Sequence, residues 1–200
     1  KVMFWEDAVA HTGGHTLVAE HKPQIIKDIL NQIEPVLAQF PEKFLQKTVE
    51  KGWIQIALVQ SIDGDKDWVQ FWEDGDCWII ISAKADAAKS LIQGMAYGID
   101  SHVLGNSRDY DDWKKLNPED FDYDYNYYLY ASREDSPYLS QEDRAFADSY
   151  GMTFPHEDRS RLFVAAMGED NAELFATDVM QAKLKRLCQG IREAYSYERS

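Results

Sequence analysis

After a strand-like stretch, the apolar residues of this chain switch from strand period to helical period over a few residues, and that switch limits the fold. Trp53 to Val59 reads W-I-Q-I-A-L-V, with Gln55 the only polar residue, which is the composition of a strand. Trp68–Trp72 and Cys77–Ile81 read as two further strands joined by E-D-G-D. After Ser82–Ala85 the spacing becomes helical: Ala87, Ala88, Leu91, Ile92, Met95 and Ile99 recur at steps of three and four, which places them on one helical face. Residues 53–81 are therefore expected to form a small antiparallel sheet packed on a helix over 86–99.

The flanks are mostly helical. Pro23 opens an amphipathic pattern through Ile25, Ile26, Ile29, Leu30, Ile33, Val36 and Leu37, and Pro41 opens a shorter one with Phe44, Leu45 and Val49. Residues 1–22 carry little periodic signal and read as an irregular N-terminal arm. Their H-T-G-G-H run at 11–15 reads as a surface turn or a metal-binding turn. D-G-D-K-D at 63–67 reads as a tight turn. Its acids also open like a calcium loop, although the rest of such a loop, including its bidentate Glu, is missing. Residues 103–140 read as a long irregular segment. Its aromatics between Phe121 and Tyr138 are costly to leave in water, so it is expected to be a structured cover rather than a linker. Helices are expected over 141–149, from Pro155 through Met167, and over 169–195.

With 200 residues, 44% of them hydrophobic and six of them tryptophan, the chain is long enough for one folded domain spanning 1–200. The formal charge is -14, from 35 acidic and 21 basic side chains. That excludes a nucleic-acid groove, which needs cations to neutralise phosphates, and an anionic membrane surface as a partner. No apolar run is long enough for a transmembrane helix. Cys77 and Cys188 have no C-x-x-C spacing, and they read as two buried thiols or, in an oxidising compartment, as a disulfide. A start at Lys1 rather than Met is expected of a trimmed or mature form.

The segment L-I-Q-G-M-A-Y-G-I at 91–99 is followed by I-D-S-H-V-L-G-N, then D-Y-D-D-W at 109–113, then F-P-H-E-D-R-S-R-L-F at 154–163. Together, over about residues 40–180, these pieces resemble the gluzincin group of zinc metallopeptidases, and are similar to the anthrax lethal factor catalytic domain and to secreted zinc-binding peptidases. In such enzymes His-Glu-x-x-His places two imidazole ligands and a general base on one helical face. The resemblance implies an α+β, zincin-like fold, mostly helical, with the small antiparallel sheet packed on the helix equivalent to the active-site helix. It puts Gln93 at the first ligand position, Gly94 at that of the general base, Tyr97 at the second ligand position and Glu157 at the third. It also implies an extracellular or cell-surface setting.

Three of these four residues lack the chemistry of the position. An amide oxygen coordinates weakly, a glycine cannot take a proton, and a phenol must first lose its own. The expectation is a catalytically inactive homologue with no metal and no other cofactor, which keeps a cleft for an extended peptide, a protein or a glycan. His102, Asp109, Asp112, Trp113 and Tyr125 are candidates for that cleft. Two alternatives stand beside it. One is an active metal-dependent hydrolase with an unconventional site around Tyr97, His102 and Glu157. His102 lies nine residues past Gln93, about 13.5 Å along a continuous helix, so this reading needs the helix to bend or end early. The other is a purely structural or protein-interaction domain, in which Glu157 pairs with Arg159 or Arg161, or is an acid in the first turn of a helix. A serine nucleophile has no G-x-S-x-G elbow here. Paired carboxylates drawn from Asp109, Asp111, Asp112 and Glu157 have no separation legible in sequence.

Overall fold

The computed structural model describes residues 9–49, 51–107, 110–129, 136–168 and 172–196. The fold is α+β, mainly helical, with a small sheet packed against helices. The chain divides into two compact units, Lys1–Gly98 and Ile99–Ser200.

The first unit holds the sheet. Its strands are β1 (Val9–Thr12), β2 (His15–Ala19), β3 (Ile54–Ile62), β4 (Trp68–Glu73) and β5 (Asp76–Ser82), and they lie in the order β1-β2-β3-β5-β4. The N-terminal residues expected to be irregular therefore include a hairpin. Gly13 (φ 55) and Gly14 (φ 79) make its two-residue turn between the paired Thr12 and His15, and two consecutive positive φ angles match the twist of a tight hairpin. The H-T-G-G-H run is this turn.

The sheet is mixed, which corrects the antiparallel expectation. β5 pairs parallel with β3 and antiparallel with β4. β3 and β4 are neighbours in sequence, but β5 lies between them. Burial explains the order. Cys77, Ile79, Ile80 and Ile81 are all buried, so β5 is apolar on both faces, as a central strand must be. Trp72 and Glu73 are exposed, which suits β4 to an edge. The D-G-D-K-D turn makes the crossover. Asp63 (φ 48) and Gly64 (φ 95) turn the chain, and the Asp63 carboxylate accepts from the Thr16 backbone N–H at 2.8 Å and from Lys66 Nζ at 2.9 Å, with His15 Nδ1 at 2.8 Å. These contacts hold its pKa well below the ordinary carboxylate value. The first carboxylate read as the start of a calcium loop thus binds the protein's own donors.

Helices α1 (Pro23–Leu37) and α2 (Glu42–Val49) follow the sequence pattern, and α1 buries Ile29, Ile33 and Val36. Helix α3 (Ala87–Asn106) starts behind Asp86, whose carboxylate accepts the Lys89 backbone N–H at 3.0 Å, an N-cap contact. It runs several residues beyond the expected end at Ile99. Two glycines bring it close to β5. A Cβ added at Gly94 would lie 2.5 Å from Ile79 Cγ2, and one at Gly98 would lie 3.1 Å from Cys77 Sγ.

The second unit carries α4 (Asn126–Leu129), α5 (Pro155–Met167) and α6 (Asp178–Ser196), with 3-10 turns that include Tyr110–Leu116 and Ala172–Phe175. Phe121, Ala145, Phe146 and Met152 form a core cluster joined by Tyr123, Tyr127 and Tyr138, so the aromatic-rich segment is packed. The helix expected over 141–149 is absent. Its backbone carbonyls serve side chains instead: Thr177 donates its hydroxyl to the Arg144 carbonyl, and Lys183 Nζ donates to the Ala145 carbonyl at 2.7 Å. Both cysteines are free thiols. No helix among the described residues is long and apolar enough to cross a membrane.

Candidate functional site

The residues singled out in sequence divide between the two units. In the first, Gln93 and its neighbour Ser90 are buried on α3. Tyr97 is half-buried, with its ring 5.4 Å from that of Trp68 on the edge strand. Gly94 faces Ile79 in the contact described above. Position 94, where the sequence frame puts a general base, thus has no room for a side chain while Ile79 keeps its place on the central strand.

In the second unit, Glu157 is buried in the first turn of α5, where the positive end of the helix favours a carboxylate. Its Oε1 lies 3.3 Å from His156 Nε2. Arg159 binds Asp100 through two bonds of 2.6 and 2.9 Å, and Arg161 lies 3.6 Å from Asp148. Burial works to lower the Arg159 pKa, but its bonds to Asp100 raise it above the ordinary value.

The cleft candidates do not form one group. Trp113 is fully buried and Tyr125 is exposed, with the Tyr125 ring 6.1 Å from that of Phe154. Asp112 pairs with Lys115 at 2.9 Å. The His102 ring stands 4.6 Å from that of Tyr195, and α3 continues past it, so the helix does not end early enough to bring His102 back to the level of Gln93. Asp109 lies outside the described residues.

Sequence reading missed the largest polar feature of the second unit, a buried cluster around Asp158. Its Oδ2 accepts from Trp113 Nε1 at 2.8 Å, from the Tyr123 hydroxyl at 2.7 Å and from Lys183 Nζ at 2.7 Å. Its buried Oδ1 has no hydrogen-bond partner. Burial pushes the Asp158 pKa up and the Lys183 pKa down, each against the pull of the other charge. Burial also raises the Tyr123 pKa, helped by the Asp158 charge. Asp158, Lys183 and Trp113 are buried, and Tyr123 is half-buried. The cluster joins the Tyr110–Leu116 turn, the Tyr123 segment, α5 and α6. The one signal in sequence was Asp158 itself, adjacent to Glu157. Lys183 stands twenty-five positions on, and no local spacing links the two.

Comparisons with protein-family models, with curated proteins and with solved structures found no match.

The donor chemistry of the frame does not fit zinc. At the two positions expected from the resemblance to be imidazole ligands, the chain has the amide of Gln93 and the phenol of Tyr97, and neither is a neutral imidazole. Among the described residues, no group of three or more His, Cys, Asp or Glu is arranged to hold a metal ion.

Proposed function

We propose that this chain is a catalytically inactive zincin-like metallopeptidase homologue that binds an extended peptide or a glycan in a residual cleft. The observation that carries the reading is the closure of position 94: the Cβ of any residue there would be 2.5 Å from Ile79 Cγ2. A glutamate at the general-base position and the present packing of α3 on β5 exclude one another. This packing supports the reading that no side chain acts as a base at position 94. The edge position of β4 supports the binding part, because a terminal strand offers a row of backbone donors and acceptors to an extended chain. The buried carboxylate of Glu157 in the first turn of α5 is consistent with a former ligand.

A second reading, a purely structural or interaction domain, is favoured by Trp113, whose complete burial makes it core rather than cleft wall.

Metal analysis tests the proposal. Protein purified without added metal should hold no stoichiometric zinc and should not hydrolyse peptides. Gln93→His combined with Tyr97→His leaves Gly94 in place and restores two imidazoles. This variant should bind one zinc ion, and adding Glu157→Ala should weaken that binding. One equivalent of zinc in the unmodified protein, lost on Glu157→Ala, would overturn the reading in favour of an active enzyme. Failure of the double variant to take up zinc would remove Glu157 from the third-ligand position.

A further inference from the structure

The second unit holds a cavity of about 710 Å³ between the 3-10 turn Pro137–Leu139, the chain from Gln141 to Arg144 and the first turn of α6. Its walls are anchored. Tyr138 is half-buried, with its ring edge-on to Phe121 at 5.2 Å and to Phe146 at 6.3 Å, so one wall is an extension of the core cluster. The Ala145 backbone N–H donates to the Tyr138 carbonyl at 2.8 Å, and the Thr177 hydroxyl donates to the Arg144 carbonyl. Thr177 Oγ1 in turn accepts the Met180 backbone N–H at 3.3 Å. Three stretches of chain that are distant in sequence are thus fastened to one another around the cavity, and little backbone order is left to be lost on binding.

Two kinds of surface line it. Pro118, Tyr138 and Val179 supply apolar area, and Asp120, Glu142, Asp143 and Asp178 supply carboxylates. Arg144 is the basic residue of the lining, and its Nη1 donates to the Ala147 carbonyl at 3.4 Å. Among the described residues no ion pair takes up any of the four carboxylates. Their charge reaches the wall: burial raises the Tyr138 pKa, and the Asp120 charge adds to the effect. Acids alone would select nothing beyond charge, but two features narrow the ligand. The carboxylates do not close on one point, since no group of three or more His, Cys, Asp or Glu among the described residues is arranged to hold a metal ion. A compact cation is therefore a poor match, and positive charge spread along a chain is a good one. The apolar wall supplies the other half of the match, because it gains from covering methylene groups between the charges. The -14 charge of the whole chain speeds the approach of any cation.

We propose that this cavity binds an aliphatic polyamine, with its ammonium groups toward Asp120, Glu142, Asp143 and Asp178 and its methylene groups against Pro118, Tyr138 and Val179. The site is separate from the Gln93, Tyr97 and Glu157 frame and stands whether or not that frame descends from a peptidase.

The test is calorimetric titration of the full chain with spermidine at physiological salt. One equivalent should bind and saturate. Combining Glu142→Gln with Asp143→Asn should weaken the binding about tenfold, the effect of two rim charges together. Both side chains are exposed, so the fold should be kept. Combining Glu73→Gln with Asp74→Asn removes two exposed acids of the sheet instead, and it should leave the binding unchanged. Hexaamminecobalt(III) carries the same charge as spermidine in a compact form without methylene groups, and it should bind about tenfold more weakly or worse. The proposal is overturned if spermidine gives no saturable heat, if the sheet variant weakens binding as much as the cavity variant, or if hexaamminecobalt(III) binds as tightly as spermidine.

Discussion

Gly94 of α3 and Ile79 of β5 occupy one contact: a Cβ on the glycine would sit 2.5 Å from Cγ2 of the isoleucine, with Cγ1 at 3.1 Å and Cδ1 at 3.2 Å. Ile79 is fully buried on the central strand, and a β-branched side chain has little rotamer freedom with which to withdraw. Gly94→Ala would gain about 1 kcal/mol from helix propensity in an open position. Here overpacking should outweigh it, for a net loss of about 1–2 kcal/mol. Urea denaturation of Gly94→Ala, Ile79→Ala and the double variant checks this. The double variant should be more stable than the sum of the two single losses implies.

The Asp158–Lys183 pair should be costly to break and cheaper to remove whole. Lys183→Met leaves a buried carboxylate with two neutral donors, and it should cost about 3–5 kcal/mol. Asp158→Asn strands the ammonium and should cost a similar amount. The combination Asp158→Asn with Lys183→Met should cost clearly less than the sum, as measured by the shift in denaturation midpoint.

Arg159→Lys keeps the charge opposite Asp100 but loses the two-bond fork. A loss of about 1–3 kcal/mol is expected. Arg159 also lies over the rings of Tyr110, 5.0 Å from its centroid, and Trp113, 5.8 Å away. The lysine variant should therefore alter the near-ultraviolet circular dichroism of the second unit.

Burial pushes the Cys77 thiol up to about 11 from an ordinary 9.0, against a weaker downward pull from Gln70. A raised folded pKa stabilises the fold fully below the unfolded value, and that stability is lost as pH rises through the folded one. Stability should therefore fall between pH 9 and pH 11, by about 2 kcal/mol from this group alone. Cys77→Ala should flatten that part of the pH profile. In the native protein at neutral pH, a thiol reagent should modify the half-buried Cys188 before Cys77.

The helices that were legible in sequence had a clean apolar period. α1 shows Ile29, Ile33 and Val36, and α5 begins at Pro155 behind an extended Phe154. The sheet order was not legible, because adjacent strands usually pair, and only the two-sided burial of Cys77–Ile81 shows that β5 is central. Gly94 was read from its lack of a side chain, while its true constraint comes from Ile79, fifteen residues away. For a related reason the partners of Arg159 and Arg161 were not legible: Glu157 was near them in sequence, and the fold brings them Asp100 and Asp148.

The insertion of β5 between β3 and β4 also imposes a sequence of events on folding. β4 and β5 close locally over Asp74 and Gly75, a contact that costs little loop entropy. β3 then meets a ready-made hairpin through its β5 side. A chain that first zips β3 against β4, its nearest neighbour, has filled the space that β5 must take and has to unzip before it can proceed. Deleting the turn at Asp74–Gly75 would thus do more than remove a surface loop. It would take away the step that keeps this topology from competing with a simple three-strand meander.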